Sequence, residues 1–115
     1  MKNRKAKIEF NGKRHEVEVA ETFLQRFWGL SLREQGKMLF KFSKPVSTRV
    51  DMMLLSDSLW LYFLDEEKRV IELQKAEPWT LNPKTWKLYS PEGKYSYLLE
   101  SFEDLGLEKD DEINL

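Results

Sequence analysis

The dipeptide Asn11-Gly12 is the feature that most constrains the fold of this 115-residue chain. Asn and Gly both tolerate the positive φ angles of a type I′ turn, so the pair predicts a two-residue β-hairpin. Pairing outward from the turn places opposite charges across one face of the hairpin, in the pairs Glu9–Arg14, Lys7–Glu16 and Lys5–Glu18. The other face is then largely apolar and carries the pairs Ile8–His15 and Ala6–Val17. A slip of one residue would destroy both faces, so the sequence predicts this register.

The rest of the chain reads as short strands separated by turn signals. The pattern predicts a short helix from Thr22 to Gly29, followed by strands at 38–42, 46–54, 59–64, 69–76, 95–100 and 112–115. The run 59–64 is apolar at every position, which predicts a central strand covered on both faces. We therefore expect a mainly β fold, a compact antiparallel sandwich or flattened barrel of jelly-roll type. It would have an N-terminal hairpin and one or two short helices. No linker or repeat divides residues 1–115, so we expect one domain.

Several classes of chemistry are excluded by composition. There is no cysteine, and His15 is the only histidine. A thiolate nucleophile, a cysteine-ligated zinc site and a three-histidine metal centre within one chain are therefore impossible. The hairpin register turns His15 towards the apolar face, which makes it a poor catalyst. We expect no catalytic residue, no metal and no cofactor.

The net charge of −1 conceals two halves of opposite sign. Residues 1–49 hold twelve Lys and Arg against five Asp and Glu, whereas residues 50–115 hold seven against fifteen. We expect these charges to pair across one small domain, so nucleic acid is not an expected partner. No run approaches the ~20 apolar residues of a membrane span, and no apolar stretch follows the basic N-terminus. A cytoplasmic protein without a membrane partner is expected. The charge-rich, cysteine-free composition favours a thermophilic source.

Motifs spread over residues 16–115 resemble a known family. In order along the chain they are Glu18-Val19-Ala20, Arg26-Phe27-Trp28-Gly29-Leu30-Ser31-Leu32-Arg33, Met38-Leu39-Phe40-Lys41-Phe42, Phe63-Leu64-Asp65, Tyr97-Leu98-Leu99-Glu100 and Leu105-Gly106-Leu107. Together they resemble the family called domain of unknown function 192. The resemblance implies a mainly β sandwich with little helix and no established activity. Ser31 stands where the family usually has Met, and Trp60 where many members have Asp, so any chemistry of that Asp is absent here.

Arg26 and Arg33 form the first candidate binding site, because they bracket Gly29 near the end of the predicted helix. Two guanidinium groups can hold a carboxylate or phosphate in bidentate fashion. Alternatively, each arginine pairs with an acidic side chain or loop carbonyls and fixes the helix on the sheet.

Trp79, Trp86 and Tyr89 form the second candidate site, in a loop-rich stretch followed by Tyr95 and Tyr97. Aromatic rings on a β fold can stack on sugars or unpaired bases. They can equally seal the open edge of a small core and keep their polar tips in water.

Two functions follow from these observations. The favoured one is a non-enzymatic module, monomer or weak homodimer, that binds a small molecule or a protein. The alternative is a hydrolase or carbohydrate-active accessory domain that uses an arginine and aromatic cleft. A pocket in which an arginine, an acid and His15 or an aromatic ring converge would favour the alternative.

Overall fold

The computed structural model describes residues 4–21 and 36–115. Its regular elements are six strands and one helical turn, joined by loops. The strands are β1 (Arg4–Phe10), β2 (Lys13–Ala20), β3 (Lys37–Val46), β4 (Leu59–Leu64), β5 (Val70–Ala76) and β6 (Tyr95–Ser101). A single 3-10 turn spans Pro83–Thr85. The radius of gyration is 13.3 Å, close to the ~13 Å typical of a compact chain of about 100 residues. The predicted mainly β class is confirmed.

All six strands lie in one mixed sheet with the order β1-β2-β3-β6-β4-β5. Every neighbouring pair is antiparallel except β2 and β3, which are parallel. In the described residues, therefore, the strands form one open mixed sheet rather than the two antiparallel layers of a sandwich or a closed barrel. A parallel pair needs a crossover of about a dozen residues or more, and the connection between β2 and β3, residues 21–36, is long enough to permit one.

The N-terminal hairpin has the predicted register. Ile8 faces His15, Lys7 faces Glu16 and Glu9 faces Arg14. Asn11 and Gly12 have φ angles of 50° and 74°, the left-handed conformation that a type I′ turn requires at both central positions. The local sequence therefore fixes this element.

The sheet is covered on both faces. The loop-side core lies under the loops 47–58 and 77–94, and its buried members include Met38, Met52, Leu61, Phe63, Tyr95 and Leu98. The tail-side core lies under the C-terminal segment, and its buried members include Ile8, Val17, Leu39, Tyr62, Leu64, Leu99, Leu107 and Ile113. β4 contributes to both cores on alternate residues, which confirms that it is a central strand.

The predicted strand at 46–54 is not present. β3 instead continues to Val46 past an irregularity in its pairing with β6, and Pro45 within it has no N–H to donate. Within residues 47–54, Val50 alone makes a β-bridge, to Tyr89. Leu54 takes a φ angle of 65°, which ends any extended conformation there.

The C-terminal segment closes over the tail-side core without forming a full strand. Glu9 and Asn114 exchange two backbone hydrogen bonds of 2.8 and 2.9 Å, and Arg69 forms a bridge with Glu112. The strand predicted at 112–115 is thus reduced to isolated bridges. Through these bridges the C-terminal segment pairs with β1, at one edge of the sheet, and with the residue before β5, at the other edge.

Candidate functional site

The indole loop, residues 79–87, is a small self-contained projection above the loop-side core. The rings of Trp79 and Trp86 stack with centroids 6.1 Å apart and an interplanar angle of 29°. Trp79 Nε1 donates to the carbonyl of Lys87 at 2.8 Å, and Trp86 Nε1 donates to that of Thr80 at 2.8 Å. Each indole therefore ties its ring to the opposite end of the loop.

Short polar side chains complete the internal bonding of the loop. Thr85 Oγ1 accepts from the backbone N–H of Thr80 at 2.8 Å and donates to the carbonyl of Asn82 at 2.7 Å. Asn82 caps the 3-10 turn by accepting from Lys84 N at 3.0 Å, and Pro83 follows at the first position of the turn, where its missing N–H costs nothing. The loop is consequently held in one shape before any partner arrives.

Apolar side chains of this stretch remain in water. Leu81 is 100% exposed, Trp86 53% and Leu88 50%. Met53 and Leu54 are also about half exposed, in the loop that Val50 and Tyr89 join to this one by two backbone hydrogen bonds of 2.7 and 2.8 Å. Leu81, Trp86 and Leu88 thus place three exposed large apolar groups within eight residues, and we call this stretch the apolar surface of the loop; exposed apolar groups that cluster often mark interaction sites.

Two stretches of chain at this surface carry only positive charges. Residues 78–91 contain Lys84 and Lys87 and no acidic residue, and both lysines are exposed. Exposed Lys44 and Arg49 lie in the segment 41–50, which likewise contains no acidic residue. The loop can therefore offer an apolar tip with cations beside it.

The other predicted aromatic residues are distributed over the molecule. Trp79 and Tyr89 pack against the loop-side core, and Tyr89 Oη accepts from the backbone N–H of Glu77 at 3.2 Å. Tyr95 is buried and donates to the carbonyl of Thr48 at 2.6 Å. Tyr97 packs against the tail-side core, on the opposite face. Four of the five thus seal the cores, and Trp86 keeps about half of its surface free.

Arg26 and Arg33 lie outside the described residues. The anion site built on them therefore stays a prediction.

His15 faces the tail-side core opposite Ile8, as its register predicts. Its ring stacks on Phe10 at 4.5 Å, and its buried Nε2 has no hydrogen-bond partner in the structure that is described. Desolvation first, and then the nearby Lys37 ammonium, lower the pKa of His15 below its usual 6.5. The imidazole is therefore neutral at pH 7 and lies on the face opposite the indole loop.

A cavity of about 710 Å³ beside β1 and β2 has a charged lining. Its charged lining residues in the described ranges are Lys5, Glu16, Glu18, Lys37, Asp57 and Glu103. Neither His15 nor the three aromatic candidates, Trp79, Trp86 and Tyr89, line it. An enzyme would be favoured by a pocket in which an arginine, an acid and His15 or an aromatic ring meet. No arginine is among the described residues that line this cavity, so they do not provide that grouping.

Glu100 is a buried acidic residue that the sequence interpretation missed. It lies on β6 between Met38 and Leu61 and is 6% exposed. Burial first, and then the charge of Asp51, raise the pKa of Glu100 to about 8. Among residues 4–21 and 36–115, no group of three or more His, Asp or Glu side chains could hold a metal ion.

Comparison with known proteins identifies the family. Residues 6–115 match the model of domain of unknown function 192 (DUF192), described as an uncharacterized ACR. The chain belongs to the DUF192 family. Its match to a UPF0127 protein of Pyrococcus abyssi (strain GE5 / Orsay) is 30% identical over 111 residues and covers 93% of this chain and 84% of that one. The predicted family resemblance is confirmed.

A second relative is longer than this DUF192 chain. A UPF0127 protein of Thermococcus sibiricus (strain DSM 12597 / MM 739) is 32% identical over 89 residues, which cover 74% of this chain and 53% of the relative. The chain thus spans about half the length of that protein. Both relatives come from thermophilic archaea, in agreement with the compositional prediction of a thermophilic source.

Two solved structures share the fold. A protein of Sinorhizobium meliloti 1021, provisionally described as a transcription regulator, has a TM-score of 0.81 at 19% identity and covers 99% of this chain and 95% of that one. A protein of unknown function from Novosphingobium aromaticivorans DSM 12444 has a TM-score of 0.78 at 20% identity, with coverages of 96% and 85%. At these identities the likeness concerns the fold of DUF192 alone.

The described part of the chain contains no helix long and apolar enough to cross a bilayer.

Proposed function

We propose that this DUF192 chain is a non-enzymatic binding module whose contact surface is the indole loop. The observation that carries the proposal is a loop closed by its own hydrogen bonds that holds Leu81 entirely in water. Leaving a leucine side chain exposed forgoes about 1.5–3 kcal/mol relative to burying it. A partner that covers this loop recovers that free energy without first having to order the loop. Compact loops packed by their own side chains are frequently functional.

The hydrolase or carbohydrate-active alternative has less support. Both indole N–H groups of Trp79 and Trp86 donate to loop carbonyls, so they are not available to a sugar hydroxyl. His15 lies on the opposite face of the sheet.

We include a monomeric or weakly dimeric state in the proposal. β1 is an edge strand that carries Lys5 and Lys7, and Glu9 is already paired with Asn114. Lysines on an edge strand oppose pairing with a second copy. Analytical ultracentrifugation tests this state, and a tight dimer at low micromolar concentration would contradict it. A cytoplasmic location is also part of the proposal, and fractionation of source cells tests it.

The binding proposal is tested by ¹⁹F NMR of protein labelled with 5-fluorotryptophan. The chain has four tryptophans; Trp86→Phe and Trp79→Phe variants assign the two signals of the loop, and a Trp60→Phe variant assigns the signal in the sheet. Four probes are titrated separately: anionic phospholipid vesicles, a single-stranded oligonucleotide, an oligosaccharide and an acidic amphipathic peptide. We expect at least one probe to shift or broaden the Trp86 signal while the Trp60 signal in the sheet stays in place. Unchanged Trp86 and Trp79 signals with all four probes would contradict the proposal.

A further inference from the structure

The shape of the indole loop restricts the kind of partner it fits. Leu81 is 100% exposed, so it projects from the protein with no neighbour against its side chain. Trp86 and Leu88, five and seven residues further along the chain, keep about half of their surfaces free. A projecting apolar tip needs a complementary pocket on a folded partner, whereas the interface of a bilayer adapts to it.

The internal hydrogen bonds of the loop suit transfer out of water. The two indole N–H groups, the hydroxyl of Thr85 and the side chain of Asn82 all have partners inside the loop. A polar group that loses water without a partner is costly in an apolar medium, and these four side chains avoid that cost. Tryptophan and leucine are also the side chains expected at the apolar face of an interfacial segment.

The charges favour an anionic surface. Lys84 and Lys87 lie on either side of Trp86 in the sequence, and each long stem can follow the apolar surface while its ammonium stays at the headgroups. The carboxylates nearest along the chain, Glu77 and Glu92, lie two residues before and five residues after the loop, and Glu77 accepts a hydrogen bond from Ser58 Oγ at 2.6 Å. Asp51 accepts from the backbone N–H of Met53 at 3.1 Å.

Other macromolecules fit these observations less well. Single-stranded nucleic acid is bound by stacking on open aromatic faces, but Trp79 covers one face of Trp86, and Leu81 and Leu88 offer no ring. An acidic peptide would complement the charge of the lysines, but a peptide without a pocket cannot bury the projecting Leu81 side chain.

We therefore propose that the indole loop docks peripherally on an anionic lipid surface, with Leu81 and Trp86 in the interface and Lys84 and Lys87 on the headgroups. This inference rests on the proposed function, because it names the partner of the same loop. The proposal departs from the expectation of a protein without a membrane partner, which rested on the lack of a segment long enough to span a bilayer; a peripheral contact needs no such segment.

Sedimentation with lipid vesicles tests the inference. The full chain is mixed with phosphatidylcholine vesicles that contain phosphatidylglycerol, or with vesicles of phosphatidylcholine alone. We expect the protein to sediment with the anionic vesicles and not with the neutral ones, and to be released as salt is raised. Leu81→Ser and the double variant Lys84→Glu/Lys87→Glu should each weaken binding, the latter by about tenfold or more. All these positions are exposed, so circular dichroism should show an unchanged fold.

Matched controls are available elsewhere on the surface. Leu115 is 53% exposed and Lys13 is exposed, so Leu115→Ser and Lys13→Glu should bind vesicles like the unaltered chain. Equal binding by Leu81→Ser and the unaltered chain would overturn the inference. So would a protein that stays in the supernatant while the peptide or the oligonucleotide shifts the Trp86 signal, and the proposed function would then stand. If no probe moves that signal, both proposals fail.

Discussion

Glu100 carries the largest electrostatic consequence in the described sheet. It sits on β6 with β3 and β4 on either side, among apolar neighbours such as Met38 and Leu61. With its pKa raised to about 8 by burial and by Asp51, the carboxyl group keeps its proton at neutral pH. The alternation along β6 predicts the burial of Glu100, because Glu100 follows the inward-facing Leu98 by two positions and so lies on the same face. The pKa shift is due first to burial and then to Asp51, which belongs to a loop far away in the sequence, and no local pattern predicts that this loop approaches Glu100.

The pH dependence of stability follows from this shift. The ordinary pKa of Glu is 4.5 and the folded value is about 8, so the folded chain retains a proton that the unfolded chain has lost. The stabilisation is complete below about pH 4.5 and is lost as the pH rises through 8, an effect on the order of 3–5 kcal/mol. We expect Glu100→Gln to make the free energy of unfolding depend less on pH and to raise it at about pH 9. Urea unfolding at several pH values measures it, with exposed Glu66→Gln as the control. Parallel curves for Glu100→Gln and the unaltered chain would refute the assignment.

The N-terminal hairpin shows how far local sequence reaches at the scale of an element. The turn and the register follow from Asn11-Gly12, because every interaction involved lies within a few residues. The ion pairs are predicted less well. Glu9 and Arg14 meet at 3.4 Å, but Lys5 contacts Glu16 on the diagonal, at 3.6 Å, although Glu18 is its direct cross-strand partner. Long side chains reach diagonal neighbours, so register alone does not fix their partners.

The turn can be tested with a pair of glycine substitutions. Gly12 has a φ angle of 74°, whereas Gly93 lies outside the left-handed region, and an added Cβ would meet nothing within 4 Å at either position. Gly12→Ala should therefore lower the free energy of unfolding by about 1 kcal/mol through backbone strain alone. Gly93→Ala should leave it unchanged or raise it by up to about 1 kcal/mol. Denaturant titration measures both, and equal losses would show that the turn conformation is not the cause.

At the scale of the whole molecule, the sequence predicts strands better than it predicts their neighbours. The bounds of β4 and β6 follow from apolar runs, but the placement of β6 between β3 and β4 depends on long-range pairing. The indole loop is likewise predicted only in part. Its aromatic residues stand out in the sequence, whereas the hydrogen bonds that isolate Leu81 at its tip appear only in three dimensions.

The C-terminal segment is predicted to contribute to global stability. Ile113 is 1% exposed and belongs to the tail-side core, whereas Leu115 is 53% exposed. Ile113→Ala should cost about 2–5 kcal/mol, since it leaves a cavity beneath the bridge to β1. Leu115→Ala should change stability by less than about 0.5 kcal/mol. Thermal unfolding followed by circular dichroism compares them, and similar melting temperatures would mean that the segment does not hold the core closed.

The strand order also has a consequence for biosynthesis. β6 occupies the middle of the sheet, yet it leaves the ribosome after every other strand. Until then β1, β2 and β3 form one incomplete unit and β4 and β5 another, and the sides of β3 and β4 that will receive β6 are open to other chains. Exposed strand edges of this kind promote aggregation. The nascent chain should therefore depend on chaperones until residues 95–101 emerge.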